Sequence, residues 1–343
     1  MLRSLSCCRY PTTVLMVDDN PRFLMHLSAR LNSALHFKLL SDPRDALPLA
    51  TQEGLFQQIV SDALVIDEGL EIDRKDLSIV QSFQGVRLKN LLDLLESENR
   101  FNEISVMVVD YAMPGMNGLD LCRAFANHPA KKILLTGEAD HRIAVEAFNQ
   151  GLIHRFILKQ TQEDVLYKEL NAAILEMQNI YFSTASRKIL MNLGLDEQFK
   201  NENFLSLLNL ICEKKKYIEL YLLNARGALL LLNDQAETEV FICESKKTLE
   251  SYAQMARDND APLWVVEALQ KHTHIPYLLG ASNEDLPFDQ WENFMLSATP
   301  IEDSDLFYAF VPADFGIPYD LQHKKIKNYA LFIEEHLKQE LDV

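Results

Sequence analysis

Nothing in this chain reaches the ~18 consecutive apolar residues of a membrane-spanning helix. No apolar stretch accompanies Arg3 and Arg9 at the amino terminus to make it a secretion signal. A cytoplasmic protein is expected. Positive charge is short: 33 lysines and arginines face 50 aspartates and glutamates, for a net charge of -17 and an isoelectric point near 5.0. Phosphate contact needs clustered lysine and arginine, so nucleic acid is not the favoured partner. The basic runs Lys214-Lys215-Lys216 and Lys324-Lys325-x-Lys327 are short and read first as solvated helix ends. Five cysteines follow no metal or disulfide spacing. Cys7 and Cys8 are read as reduced thiols in a frayed leader, with metal binding or acylation as the alternatives. Cys122, Cys212 and Cys243 have apolar neighbours and are expected in cores. Glycine is scarce, 11 residues in 343, and its scarcity over residues 51–101 argues against disorder there.

What the chain does have is a set of polar side chains closing short apolar runs. Thr13-Val14-Leu15-Met16-Val17 ends on Asp18 and Asp19, and the run from Ile104 to Val109 ends on Asp110. Ile133-Leu134-Leu135 ends on Thr136, and Phe156-Ile157-Leu158 ends on Lys159. Such runs, separated by stretches of helical period, predict buried parallel strands. All carboxyl ends of a parallel sheet face one edge, where ligands bind. These polar side chains then converge on one acidic pocket. Crowded carboxylates repel one another unless a cation neutralises them, and Mg2+ prefers oxygen ligands with several retained waters. A carboxylate is also a nucleophile for phosphoryl groups. A lysine and a metal offset charge on an incoming phosphoryl group, and Thr136 can donate a hydrogen bond to it. The residues by themselves predict a Mg2+-dependent aspartyl-phosphate site.

With these pieces in order, the chain resembles the receiver domains of two-component response regulators. The matching segments are Val17-Asp18-Asp19, Asp110-x-x-Met113-Pro114-x-x-x-Gly118, Leu135-Thr136-Gly137 and Phe156-x-x-Lys159. The resemblance implies a flavodoxin-like, doubly wound α/β fold with a parallel five-stranded sheet in the order 2-1-3-4-5. It implies that Asp110 accepts the phosphoryl group and that Asp19 binds Mg2+ directly. Asp18 would bind the metal through water and Ala112 through its backbone carbonyl. Thr136 and Lys159 would contact the phosphoryl group, and Phe156 would turn inward on activation. The implied partner is a sensor histidine kinase or a histidine phosphotransfer protein, with homodimerisation on phosphorylation. Three departures stand out. Gln160 follows Lys159 where the family usually has proline, Ala112 offers no polar side chain to an attacking water, and Glu138 adds a carboxylate at the mouth.

A length of 343 residues suggests about two domains. The receiver is drawn at 1–180 and an α+β output domain at 181–343. After Asp42-Pro43-Arg44-Asp45-Ala46-Leu47 about fifty extra residues, roughly 51 to 101, precede the third strand. Val80, Phe83, Leu88, Leu91, Leu92 and Leu95 recur near helical spacing there, with Gly85 as a break. This insertion is expected to be a helical hairpin lying on the receiver beside its second helix; a docking surface for a partner is the alternative. The receiver should end in an amphipathic helix capped by Thr161 and running to Gly194, either unbroken or divided near Ser183-Thr184-Ala185-Ser186.

Beyond it, helices are expected near 196–214, 246–257, 262–271 and 320–341. Strands are expected near 217–223, 227–232, 238–243, 275–279 and 306–311, with Gly227 at a hairpin turn. Trp264 and Trp291 are expected in the core or at an interface. No Walker loop, zinc-ligand spacing or Gly-x-Ser-x-Gly elbow occurs in this part, so it carries no catalytic signature and its activity is left open. Two classes of function remain. One is a phosphorylation-dependent switch controlling dimerisation or an output domain. The other is an uncharacterised enzyme or nucleotide-binding output, or a receiver that signals by partner binding alone. In layout and length the chain also resembles a Legionella quorum-sensing response regulator, which suggests a pathway.

Overall fold

Strands buried on both faces are built from continuous apolar runs, and such runs form the first sheet of this protein. The computed structural model describes residues 4–32, 34–63, 88–137, 140–159, 162–195, 198–277, 287–312 and 325–341. The chain begins with β1 (Cys8–Arg9), β2 (Thr13–Val17), α1 (Pro21–Arg30), β3 (His36–Leu40) and α2 (Pro43–Ala46). The insertion follows with α3 (Leu55–Ala63), α4 (Lys89–Asp93) and α5 (Asn99–Asn102). Then come β4 (Ile104–Asp110), α6 (Gly118–Ala124), β5 (Lys131–Thr136), α7 (His141–Asn149), β6 (Arg155–Leu158) and α8 (Glu163–Asn192). The remainder holds α9 (Glu202–Lys215), β7 (Tyr217–Leu222), β8 (Leu229–Asn233), β9 (Thr238–Ser245), α10 (Lys246–Asp258) and α11 (Leu263–Gln270). It closes with β10 (His274–Pro276), β11 (Met295–Ser297), β12 (Thr299–Pro300), β13 (Leu306–Val311) and α12 (Tyr329–Leu341). Among the described residues no helix is long and apolar enough to cross a membrane.

The first sheet runs β3-β2-β4-β5-β6 with every pair parallel. Counted along its own strands this is the expected order 2-1-3-4-5. Leu15, Met107 and Leu134 pack toward α6 and α7 on one face; Val14, Val106 and Ile133 pack toward α1 and α8 on the other. The second sheet, β1-β7-β8-β9-β13-β12, is antiparallel throughout and carries the α+β half. Gly227 sits at φ +88 in the β7–β8 hairpin, as expected of a turn glycine. Trp291 is buried in this half, whereas Trp264 is largely exposed.

Several expectations are corrected. The amino terminus is not a frayed leader. Cys7 and Cys8 are fully buried, and β1 pairs with β7, so residues at the start of the chain form an edge of the second sheet. The described part of the insertion is helical, but it does not simply lie on the receiver. Leu88, Leu91, Leu92 and Leu95 enter the same core as Leu220, Leu222 and Leu231 of the second sheet, because that sheet face needs an apolar cover. Val80, Phe83 and Gly85 lie outside the described residues. Helix α8 is one unbroken element of 30 residues. The hydroxyls of Thr184 and Ser186 donate to the carbonyls of Ile180 and Phe182, which lets polar residues remain inside a helix. Its N-cap position is Gln162, without a side-chain cap bond; Thr161 lies outside the described residues. Gly194, at φ +70, follows its end. The last helix starts at Tyr329 rather than near 320, where the Asn328 side chain accepts from the Leu331 amide at 3.1 Å.

Two buried carboxylates join these parts. Glu103, just before β4, accepts from the Tyr181 hydroxyl at 2.6 Å, from the Phe56 amide at 2.9 Å and from the Tyr10 hydroxyl. Glu219 of β7 accepts from Arg100 Nε and Nη2, each at 3.1 Å, and from the Tyr221 hydroxyl at 2.6 Å. Arg100 also donates to the carbonyls of Leu94, Leu95, Ser97 and Lys327, so the buried guanidinium is enclosed by acceptors. Removing one charge of such a pair strands the other. Glu219→Ala is therefore expected to destabilise the protein by about 3–5 kcal/mol in chemical denaturation. Arg100→Met combined with Glu219→Met should lose clearly less than the two single variants added together. A loss below ~1 kcal/mol in Glu219→Ala would contradict the buried pair.

Candidate functional site

The parallel sheet delivers each strand's polar exit to one edge. After β2 the chain passes Asp18 and Asp19 and enters α1. The Asn20 side chain caps that helix, accepting from the Phe23 amide at 3.2 Å, with Pro21 in the first turn. The Asn20 amide donates to Asp18 Oδ1 at 2.9 Å, so the helix start also holds the carboxylate in place. β4 ends on Asp110 itself. The chain then doubles back, and the Gly118 amide donates to the Tyr111 carbonyl at 2.9 Å. A Cβ at Gly118 would lie 2.2 Å from the Asp110 carbonyl oxygen, an approach open only to glycine.

Lys159 leaves β6 beside the end of β5, its amide donating to the Thr136 carbonyl at 2.9 Å. Its Nζ lies 2.7 Å from Asp18 Oδ2 and 2.7 Å from Asp110 Oδ1. It also stands 4.8 Å from the centre of the Phe23 ring, a cation–π distance. Carboxylate oxygens of Asp18, Asp19 and Asp110 all lie within 4.8 Å of one another; Asp18 and Asp110 are buried and Asp19 is exposed. Burial pushes the Asp110 carboxyl above its ordinary value. The Lys159 hydrogen bond and charge pull it down, and Asp18 and Asp19 push it up again. Burial opposes the charge on Lys159, but its bonds to Asp110 and Asp18 hold its ammonium above the ordinary value. One lysine thus faces three carboxylates. An all-oxygen donor set with one exposed member and surplus negative charge fits a hydrated Mg2+.

The remaining expected residues fall around this core. Thr136 is buried at the end of β5, with its hydroxyl donating to the Gly137 carbonyl at 3.2 Å rather than toward Asp110. Phe156 is half-buried on β6, edge-on to His141 at 5.4 Å and to Phe148 at 6.5 Å. Ala112 lies exposed just past β4. Glu138 and Gln160 lie outside the described residues. Asn20 and Phe23 belong to the site and were not singled out from sequence. The Asn-Pro pair signals a helix start, but no sequence pattern says that the Phe23 ring meets Lys159.

A family model for the response regulator receiver domain matches residues 66–171. That stretch contains Asp110, Thr136, Phe156 and Lys159; Asp18 and Asp19 precede it and reach the pocket because β2 pairs with β4. No curated protein matches the sequence. Among solved structures, that of the Legionella pneumophila response regulator LqsR is similar over 98% of this chain and 97% of that one, at 29% identity and a TM-score of 0.75. The structure of an adenylate cyclase from Rhodopirellula baltica aligns with 53% of this chain and 97% of that chain, at 21% identity and a TM-score of 0.34. An uncharacterized protein from Neptuniibacter caesariensis aligns with 51% of this chain and 95% of that chain, at 18% identity and a TM-score of 0.33. Sheet order, the acidic strand ends and the family match agree: the α/β part of this chain is a response regulator receiver domain, set in an architecture similar to that of LqsR.

Proposed function

We propose that this protein is a two-component response regulator switched by phosphorylation of Asp110, with a sensor histidine kinase or a histidine phosphotransfer protein as donor. The observation that carries the reading is Lys159 Nζ, held 2.7 Å from both Asp18 and Asp110 at an edge of three carboxylates. In the transfer, an Asp110 carboxylate oxygen bonds to phosphorus as the phosphorus–nitrogen bond of the donor phosphohistidine breaks, and the leaving imidazole takes up a proton. Asp18, Asp19, Asp110 and the Ala112 carbonyl would hold Mg2+, which when bound offsets charge on the phosphoryl oxygens. Lys159 supplies a second positive charge already in position. The Thr136 hydroxyl would leave the Gly137 carbonyl for a phosphoryl oxygen, and Phe156 would move inward from beside His141 and Phe148.

Helix α8 supports a route for the signal. At 1.5 Å per residue its 30 residues span about 45 Å. It starts four residues after Lys159 and ends among Ile189 and Leu190 in the core of the second sheet. Phosphorylation adds roughly -1.5 to -2 charges at Asp110. A differential affinity of a few kcal/mol is enough to shift populations substantially, toward a homodimer or an altered output domain. The protein acts as a regulator rather than an enzyme, in the cytoplasm. A quorum-sensing pathway is supported by layout alone.

Incubation with acetyl phosphate and Mg2+ should add one phosphoryl mass to the wild-type protein and none to Asp110→Asn, as read by intact mass spectrometry. Equal labelling of the variant would move the acceptor elsewhere. Asp19→Ala should shift the midpoint of a Mg2+ titration upward by at least about tenfold, and an unchanged midpoint would contradict the donor set. Light scattering of the phosphorylated protein should show a doubled mass that Asp110→Asn lacks.

A further inference from the structure

A cavity of about 600 Å³ opens where the receiver meets the α+β half, on the side opposite the aspartates of the phosphoryl pocket. Leu35, between α1 and β3, and Leu175 of α8 form its receiver wall; Leu220 of β7, Cys212 of α9 and Ile333 of α12 form the facing wall. This volume and this interdomain position suit a small molecule. The lining is mostly apolar, but the carboxylates Glu213, Glu219 and Asp234 and the exposed Lys216 also reach it. Arg9 of β1 lines the cavity, half-buried, and among the described residues its side chain makes no ion pair and donates no hydrogen bond. Burial pulls its guanidinium below the ordinary value.

The nearby carboxylates do not answer that charge. Glu219 is engaged by Arg100. Glu213 and Asp234 stand exposed at the mouth, and neither forms an ion pair with Arg9. A guanidinium withdrawn from water without an anion is costly, and an anion brought into the cavity would remove the cost. Arg9 also presents a planar fork of donors that matches a carboxylate.

We propose that this cavity binds an anionic amphiphile, a carboxylate on an apolar body, with the carboxylate on Arg9 and the apolar body between the receiver and output walls. Because both halves line it, the ligand would tie them together, independently of phosphorylation at Asp110.

Decanoate, kept below its micellar range, and decanol, its uncharged counterpart, test this on the full chain by isothermal calorimetry. Decanoate is expected to bind one to one. Arg9→Met should weaken it by roughly 10- to 100-fold, the loss of one charge-assisted contact, while changing decanol by no more than about twofold. Ile333→Trp, which fills the far wall and leaves Arg9 in place, should weaken both probes. Cys212 is the half-buried cysteine of this protein and the other four are buried. Decanoate should therefore slow its alkylation, as followed by intact mass. Failure of decanoate to bind the wild-type protein would overturn the proposal. So would equal affinity in Arg9→Met, or undiminished binding of both probes in Ile333→Trp. Circular dichroism on each variant separates a lost site from a lost fold, and the Ile333→Trp result decides the matter if Arg9→Met does not fold.

Discussion

The pairing of Arg100 with Glu219 holds the rest of the structure in place. Both side chains are essentially sealed from water, and neither charge is tolerable there alone. Satisfying the guanidinium requires carbonyls from the insertion and from Lys327 near the chain's end, together with a carboxylate from β7. Distant parts of the chain must therefore be folded together before the charge is accommodated. A second polar centre lies against the first. The Tyr10 ring stacks over Tyr221 at 6.4 Å, and Tyr10 and Tyr221 donate to Glu103 and Glu219 respectively. Through Tyr181 and Phe56 this centre also grips α8 and the insertion. The two halves thus share a polar joint embedded in a common core.

The opposite edge of the receiver follows the reverse logic. Buried carboxylates at the joint are matched by donors, whereas those at the strand exits outnumber their one lysine. The matched set leaves no buried charge unanswered; the unmatched set keeps surplus negative charge at the sheet edge. One strand connects them. Glu103 precedes β4 and Asp110 ends it, about 23 Å apart for seven residues of extended chain. Helix α8 makes the same connection on the sheet face. One strand and one helix thus run from the acidic edge to the buried joint.

Much of the receiver was legible in the sequence because parallel strands advertise themselves. They are short, apolar on both faces and closed by residues whose chemistry makes sense only together. Asp18, Asp19, Asp110 and Lys159 could be placed in one pocket because they close strands of a parallel sheet, and the structure brings them there. Most elements of the second half were also legible, from alternation and from turn residues such as Gly227. The failures share one cause. Cys7 and Cys8 read as a loose leader because a two-residue strand carries no periodicity; only the unpaired edge of β7 gives it a partner. The leucines of the insertion announced a buried helical face but not which surface would bury it. Phe23 was invisible as a site residue because its contact with Lys159 joins positions far apart in the chain.

Local sequence determined the kinds of element and the acidic character of the parallel strands' exits, since propensity, periodicity and strand termini are set by near neighbours; the strand order came from the family resemblance. Tertiary structure alone decided that β1 completes the second sheet, that the insertion caps that sheet, and that the buried Arg100 and the half-buried Arg9 keep such different company. Those outcomes depend on which surfaces meet, and the free energy of burying an apolar face or a charge is set by the partner surface rather than by the segment that carries it.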